Sequence, residues 1–166
     1  MKKLMELKKR KKNNKGFSLV ELIIVIAIMA VLVAVLAPQF LKYVERSRNS
    51  TDAQNATAIA TALQTYYADP STDLTSVTTG TITVSSAGIT IGTNDKFSSA
   101  ALSAAGIDIK TKCKSKSTWT QYIITWAVKD GAMTITYSSG TTGTTTGTDP
   151  FTSYMASGST STSASK

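Results

Sequence analysis

Lys15-Gly16-Phe17-Ser18-Leu19-Val20-Glu21 runs into sixteen residues, Leu22 to Ala37, that carry no polar side chain. From Phe17 to Ala37 is 21 residues, or roughly 31 Å as a helix, close to the thickness of a bilayer's hydrocarbon core. The segment is long enough to cross a membrane once. Eight Lys/Arg crowd the sixteen residues ahead of it, against three, Lys42, Arg46 and Arg48, in the sixteen behind it, so the positive-inside rule puts the amino terminus in the cytoplasm and everything after Ala37 outside. Gly16 is the small residue at the boundary between charge and apolarity, and it precedes the apolar run. A secretory signal has the opposite order, with its cleavage site after the run. A cut after Gly16 would keep the anchor and discard the charge. Glu21 is a carboxylate inside the span, where a charge is costly and needs a partner, and no cation within the span supplies one. A cut after Gly16 would create an α-amine on Phe17, four residues before Glu21 and on the same helix face. At the positive end of the helix dipole an amine is disfavoured, so both groups gain by pairing, within one chain or between neighbours.

The charge outside this stretch limits the function classes. The 166 residues have a formal net charge of +8, yet residues 1–16 hold eight Lys/Arg against Glu6, so residues 17–166 carry only +1. The body of the protein is nearly neutral, which removes the broad nucleic-acid reading that a basic chain invites. There is no histidine and a single cysteine, Cys113. Neither an intrachain disulfide nor a Cys/His metal centre can be built, and the length allows one domain beyond the leader and span.

Beyond the span, Pro38 removes the hydrogen bond to the Ala34 carbonyl and should kink or loosen that turn of a continuing helix. Ala53, Ala56, Ala60, Leu63 and Tyr67 then recur at steps of three and four, with Asp52, Gln54, Asn55 and Gln64 reading as off the stripe. The helix is expected over residues 17–67, transmembrane over 17–37 and amphipathic afterwards, ending at Asp69-Pro70. From Ser71 the composition turns to Thr, Ser and Gly with short β-branched alternations. Thr81–Ser85 and Ile89–Ile91 read as a first strand pair, and residues 97–105 as a short helix or an irregular loop. Thr118–Val128, Lys129-Asp130-Gly131 and Ala132–Ser138 read as a hairpin, with Ile107–Cys113 expected to pair with its first strand. The expected fold class is α+β, a long helix packed on an antiparallel sheet, with a globular part over 68–155 and a Ser/Thr-rich tail over 156–166. Pro150–Met155 reads as a segment pinned to the sheet, and Gly140–Gly147 as a low-complexity tract.

Lys15 to Glu21, with the unbroken apolar stretch after it, resembles the leader-peptidase motif of the type IV prepilins. The resemblance covers leader plus helix, about 50 residues, and pseudopilins share it. It implies the type IV pilin fold, a cut after Gly16 by a membrane aspartyl peptidase that removes residues 1–16, and N-methylation of Phe17. Ser18 matches the hydroxyl position, and Glu21 would meet the Phe17 amine of an adjacent subunit during assembly. A residue at the place of Pro38 is associated in pilins with local unwinding in the filament. The implied function is structural: a subunit of a type IV pilus serving adhesion, motility or DNA uptake, or else a pseudopilin of a type II secretion or competence apparatus. The implied partners are further copies in a helical filament, the prepilin peptidase, an inner-membrane assembly platform and minor pilins. The chain would sit in the cytoplasmic membrane before assembly and on the cell surface after it. One cysteine cannot make the carboxy-terminal disulfide loop of many type IV pilins.

No catalytic constellation, cofactor motif or metal-ligand set is read in the remainder. Lys110, Lys112, Lys114 and Lys116 alternate and would line one face of an extended segment, a weak nucleic-acid site or a solvated edge. Trp119, Tyr122 and Trp126 would make a stacking platform only if they shared a face, and core packing is the reading for most of them. Cys113 lies between lysines, which would favour its thiolate if it were exposed. Asp69 and Asp73 lack further ligands, the glycine tract lacks the Gly-Lys-Ser/Thr of a phosphate loop, and the glycosylation patterns at Asn49 and Asn55 read as chance.

Overall fold

A computed structural model describes residues 16–72, 78–140 and 149–157. The leader up to Lys15, Asp73, most of the Thr/Gly tract and the tail from Gly158 lie outside these residues. Two compact units divide between Leu41 and Lys42. The first is the apolar part of helix α1, Leu19–Ala68, whose large side chains from Leu19 to Leu41 are all exposed. The helix runs through Pro38.

The second unit is α+β, matching the pilin fold. After α1 come β1 (Thr79–Ser85), β2 (Ile89–Ile91), α2 (Lys96–Ala104), β3 (Gln121–Lys129), β4 (Ala132–Ser138) and α3 (Pro150–Ala156). The strands form one antiparallel sheet in the order β2-β1-β3-β4. Period-two alternation turns Ile82 and Val84 of β1 and Tyr122, Ile124 and Trp126 of β3 inward, where they share one core with Ala56, Ile59 and Leu63 of α1. The small alanines let helix and sheet approach closely. Trp119, Tyr122 and Trp126 are core residues, as their sequence reading holds, and Phe151 of α3 stacks on Tyr122 at 4.6 Å between centroids. The β3–β4 turn is the two-residue Asp130-Gly131 link, with φ of 53° and 76° and Lys129 already paired to Ala132. Asp-Gly suits that geometry because both positions need positive φ.

Three expectations need correction or completion. Ile107–Cys113 is no strand of the hairpin. Both edges of β3 are occupied, by β1 on one side and β4 on the other, so none is left to pair with. The segment instead crosses the β1–β2 turn, where Ile89 N–H donates to the Ile109 carbonyl at 2.7 Å and Cys113 N–H to that of Ser85 at 3.0 Å. Gly88 permits the crossing, since a Cβ there would lie 2.8 Å from the Ile109 oxygen. Over the residues read as a short helix or a loop the chain forms α2, Lys96–Ala104, begun by the Asp95 carboxylate accepting from Ser98 N–H. The segment from Pro150 is also helical, capped by Asp149 with proline in its first turn.

Gly80 in β1 faces Trp126 of β3, and a Cβ there would come within 2.6 Å of the indole and collide with the Asp95 carboxylate as well. Gly80→Ala is therefore expected to destabilise the unit by about 2 kcal/mol or more, as overpacking does against rigid neighbours. Urea unfolding followed by tryptophan fluorescence measures it, and a loss below about 0.5 kcal/mol would show that the indole yields.

Candidate functional site

The amino-terminal motif begins on an open backbone. A Cβ built on Gly16 meets nothing within 4 Å, and Phe17 is 91 % exposed. Ser18 then starts α1 with a reciprocal cap: its Oγ accepts from Val20 N–H at 3.4 Å, and its own N–H donates to Glu21 Oε2 at 2.8 Å. This is a variant capping box, with the Glu21 half formed and the Ser18 hydroxyl taking the N2 rather than the N3 amide, and it satisfies amide donors that a helix leaves unpaired at its start. The sequence reading missed it, although Ser18-x-x-Glu21 before an apolar run is its signature. Within one chain, then, Glu21 has an amide partner three residues back. Chemically the site offers an exposed peptide bond after a residue without a side chain, next to a helix start whose carboxylate is already turned towards the chain terminus.

A second polar site lies in the globular unit and corrects the placing of Asp52. Read as off the apolar stripe, Asp52 is fully buried. Its Oδ1 accepts from Lys114 N–H at 2.7 Å, and its Oδ2 from Ser115 N–H at 2.9 Å, Trp119 Nε1–H at 3.0 Å and the Cys113 thiol at 3.3 Å. One helical face carries two more partners of the same loop. Asn49 Nδ2 donates to Thr118 Oγ1 at 2.9 Å. Glu45 Oε1 accepts from Ser115 Oγ at 2.7 Å, Lys116 N–H at 2.8 Å, Ser117 N–H at 2.9 Å and Thr118 N–H at 3.4 Å, while its Oε2 meets Arg48 at 3.4 Å. Residues 45, 49 and 52 stand one turn apart, so one helix edge clamps the whole of residues 113–119.

The clamp sets the ionisation of its members. Burial opposes ionisation of Glu45, but the Ser115 hydroxyl and the amides of Ser117 and Lys116 outweigh it and hold the group at about 2. Burial first, then the Asp52 carboxylate, pushes the Cys113 thiol up to about 12, so the thiolate envisaged for an exposed Cys113 does not form. Because the folded value of Glu45 lies below the usual 4.5, its contribution to stability is present above that pH and lost as pH falls towards about 2. A loss on the order of 1–2 kcal/mol is expected across that window, allowing for solvent screening. Glu45→Gln should flatten the acid limb of urea-unfolding midpoints, and an unchanged limb would count against the clamp.

The other candidates stay apart from both sites. Asp69 accepts from Ser71 N–H and Oγ at 2.8 and 2.7 Å and gathers no other carboxylate among the described residues. Asn49 is buried and bonded to Thr118, so its glycosylation pattern is a chance match. Among the described residues no group of His, Cys, Asp and Glu could hold a metal ion.

Residues 11–37 match one family model. The chain carries the prokaryotic N-terminal methylation motif. The matched residues take in Gly16, Phe17, the capping box and the apolar run as far as Ala37. Comparison with curated proteins and with solved structures found no match. The methylation motif supports a type IV pilin-like or pseudopilin protein, a family of structural subunits rather than enzymes. Processing by a prepilin peptidase and entry into pilus assembly go with the motif in general. Among the described residues α1 is the one helix long and apolar enough to cross a membrane, and with the methylation motif it fits membrane anchoring before assembly.

Proposed function

We propose that this chain is a type IV prepilin, cut after Gly16, N-methylated on Phe17 and assembled through α1 into a helical filament. The methylation motif over residues 11–37 carries this reading, supported by an apolar helix whose large side chains from Leu19 to Leu41 are exposed. In this reading residues 1–16 are the leader, 17–37 the span, and the sheet domain stands outside the membrane and then on the filament surface. Glu21 pairs with the Phe17 ammonium of a neighbouring subunit, and Pro38 marks a turn that loosens as subunits pack. The assembly platform and minor pilins are the accompanying partners. The surface filament is favoured over a secretion pseudopilin by the Thr-, Ser- and Gly-rich outer domain, a composition suited to an exposed surface.

Intact-mass analysis of sheared surface filaments tests the reading. Abundant chains beginning at methylated Phe17 are the expected product. Gly16→Val should abolish them and leave the full-length precursor in the membrane; since nothing stands within 4 Å of a Cβ there, the block would be in processing and not in folding. Mature chains of normal size from that variant would sink the cleavage assignment. Processed chains that never leave the membrane would instead favour the pseudopilin.

A further inference from the structure

The clamp joins two segments that are sixty residues apart in the chain and share one chemical property. Residues 42–52 and 108–116 hold seven of the ten Lys/Arg that follow Gly16: Lys42, Arg46, Arg48, Lys110, Lys112, Lys114 and Lys116. Three carboxylates accompany them and keep their charge, so the two segments together carry +4 of a body whose net is +1. Asp52 is buried under four donors, Glu45 is taken by the loop amides and Arg48, and Asp108 caps its own turn by accepting from Lys110 N–H at 2.8 Å. From Thr111 to Lys116 burial alternates, Cys113 and Ser115 inward and Lys112, Lys114 and Lys116 outward. The bonds of Asp52 and Glu45 to Lys114, Ser115 and Lys116 amides fix that alternation. Among the described residues none of the four lysines has an ion-pair partner. Near neutrality of the body as a whole therefore hides a segregated charge, with a basic face beside Glu45 and most of the balancing acids elsewhere.

Resting on the membrane-anchored reading above, we propose that this basic face seats on acidic phospholipid headgroups at the membrane surface before the subunit enters a filament. Lys42 follows Ala37, the end of the apolar run, by only five residues, which puts bilayer headgroups among the nearest anionic surfaces to the patch. Ile109, 60 % exposed, and Tyr43, 65 % exposed, stand among the cations. Apolar and amphipathic side chains between lysines suit the boundary of headgroup and acyl chain, whereas a phosphate backbone offers an isoleucine nothing. A second copy is the weaker occupant, since Lys96 and Lys129 sit beside Asp95 and Asp130 and blunt the acidic surface a head-to-tail contact would need.

The test uses the full chain reconstituted in vesicles of phosphatidylcholine alone or with phosphatidylglycerol, and a membrane-impermeant amine reagent read residue by residue by mass spectrometry. Lys112, Lys114 and Lys116 should label roughly fivefold more slowly in the acidic vesicles, while Lys96 and Lys129 are unchanged. Salt at about 1 M should abolish the difference. Lys112→Gln, Lys114→Gln and Lys116→Gln together should return Lys42 to its neutral-vesicle rate, with near-ultraviolet circular dichroism confirming that Trp119 and Trp126 stay packed. Equal rates in both vesicles would overturn the proposal. So would protection that follows protein density instead of lipid charge, which assigns the face to another copy, or protection by a DNA duplex with none from acidic vesicles. Carbonate extraction from neutral vesicles reads the anchor by itself. Should the chain be released there, the membrane-span reading fails, and the lysine rates on co-floated acidic vesicles still decide the patch.

Discussion

Asp52→Ala is expected to lower the unfolding free energy of the globular unit by about 3–5 kcal/mol, the range found when one partner of a buried charged network is removed. The substitution leaves two loop amides, an indole N–H and a thiol without an acceptor, all at the buried side of residues 113–119. Marginal stability makes a loss of that size a large share of the total. Asp52→Asn keeps the volume and one acceptor oxygen but turns an NH2 group towards donors, so it should cost less than alanine while still losing bonds on one side. Urea unfolding of the detergent-solubilised chain, followed by Trp119 and Trp126 fluorescence, gives the comparison. A loss of less than about 1 kcal/mol for alanine would mean that water replaces the carboxylate, and the loop would then be held by Glu45 and packing.

The second large effect is expected at Glu21, where replacement should abolish filaments while leaving membrane insertion and cleavage intact. A newly arriving subunit would bring its Phe17 ammonium into an apolar bundle with no counter-charge, at a cost of several kcal/mol per subunit. The capping box sharpens the experiment, because Glu21 also accepts from Ser18 N–H. Glu21→Gln keeps an oxygen for that bond and removes the charge, whereas Glu21→Ala removes both. If charge pairing governs assembly, the two variants fail alike at matched membrane levels. Filaments restored by glutamine and absent with alanine would assign Glu21 to the cap, and filaments from both would leave it no part in assembly. Glu21→Asp shortens the reach by one methylene and should retain partial function.

The two ends of α1 were unequally legible in the sequence, for a physical reason. Its amino-terminal half is decided by apolarity and a short local motif, so Leu19, Glu21 and the run to Ala37 can be read in place. The Asp130-Gly131 turn was equally plain, since two adjacent positive-φ positions restrict the residue choice. Asp52 was misread because periodicity counts a charged residue as solvent-facing, and what pays for its burial is supplied by backbone amides sixty residues away. Amides carry no letter in a sequence. The same blindness affected Ile107–Cys113, whose alternating pattern promised a strand although β1 and β4 had taken both edges of β3. The capping box at Ser18 and the Asp149-Pro150 helix start were signals present in the letters and passed over.

Of the bonds that Glu45 and Asp52 receive from residues 114–118, five are donated by main-chain N–H groups. Any amino acid except proline brings that donor with it. The clamp thus places no demand on the exposed side chains of Lys114 and Lys116: their charge can be set by what the loop meets outside while its path stays the same. A chain built this way can alter the outer chemistry of this loop one letter at a time without reopening its fold.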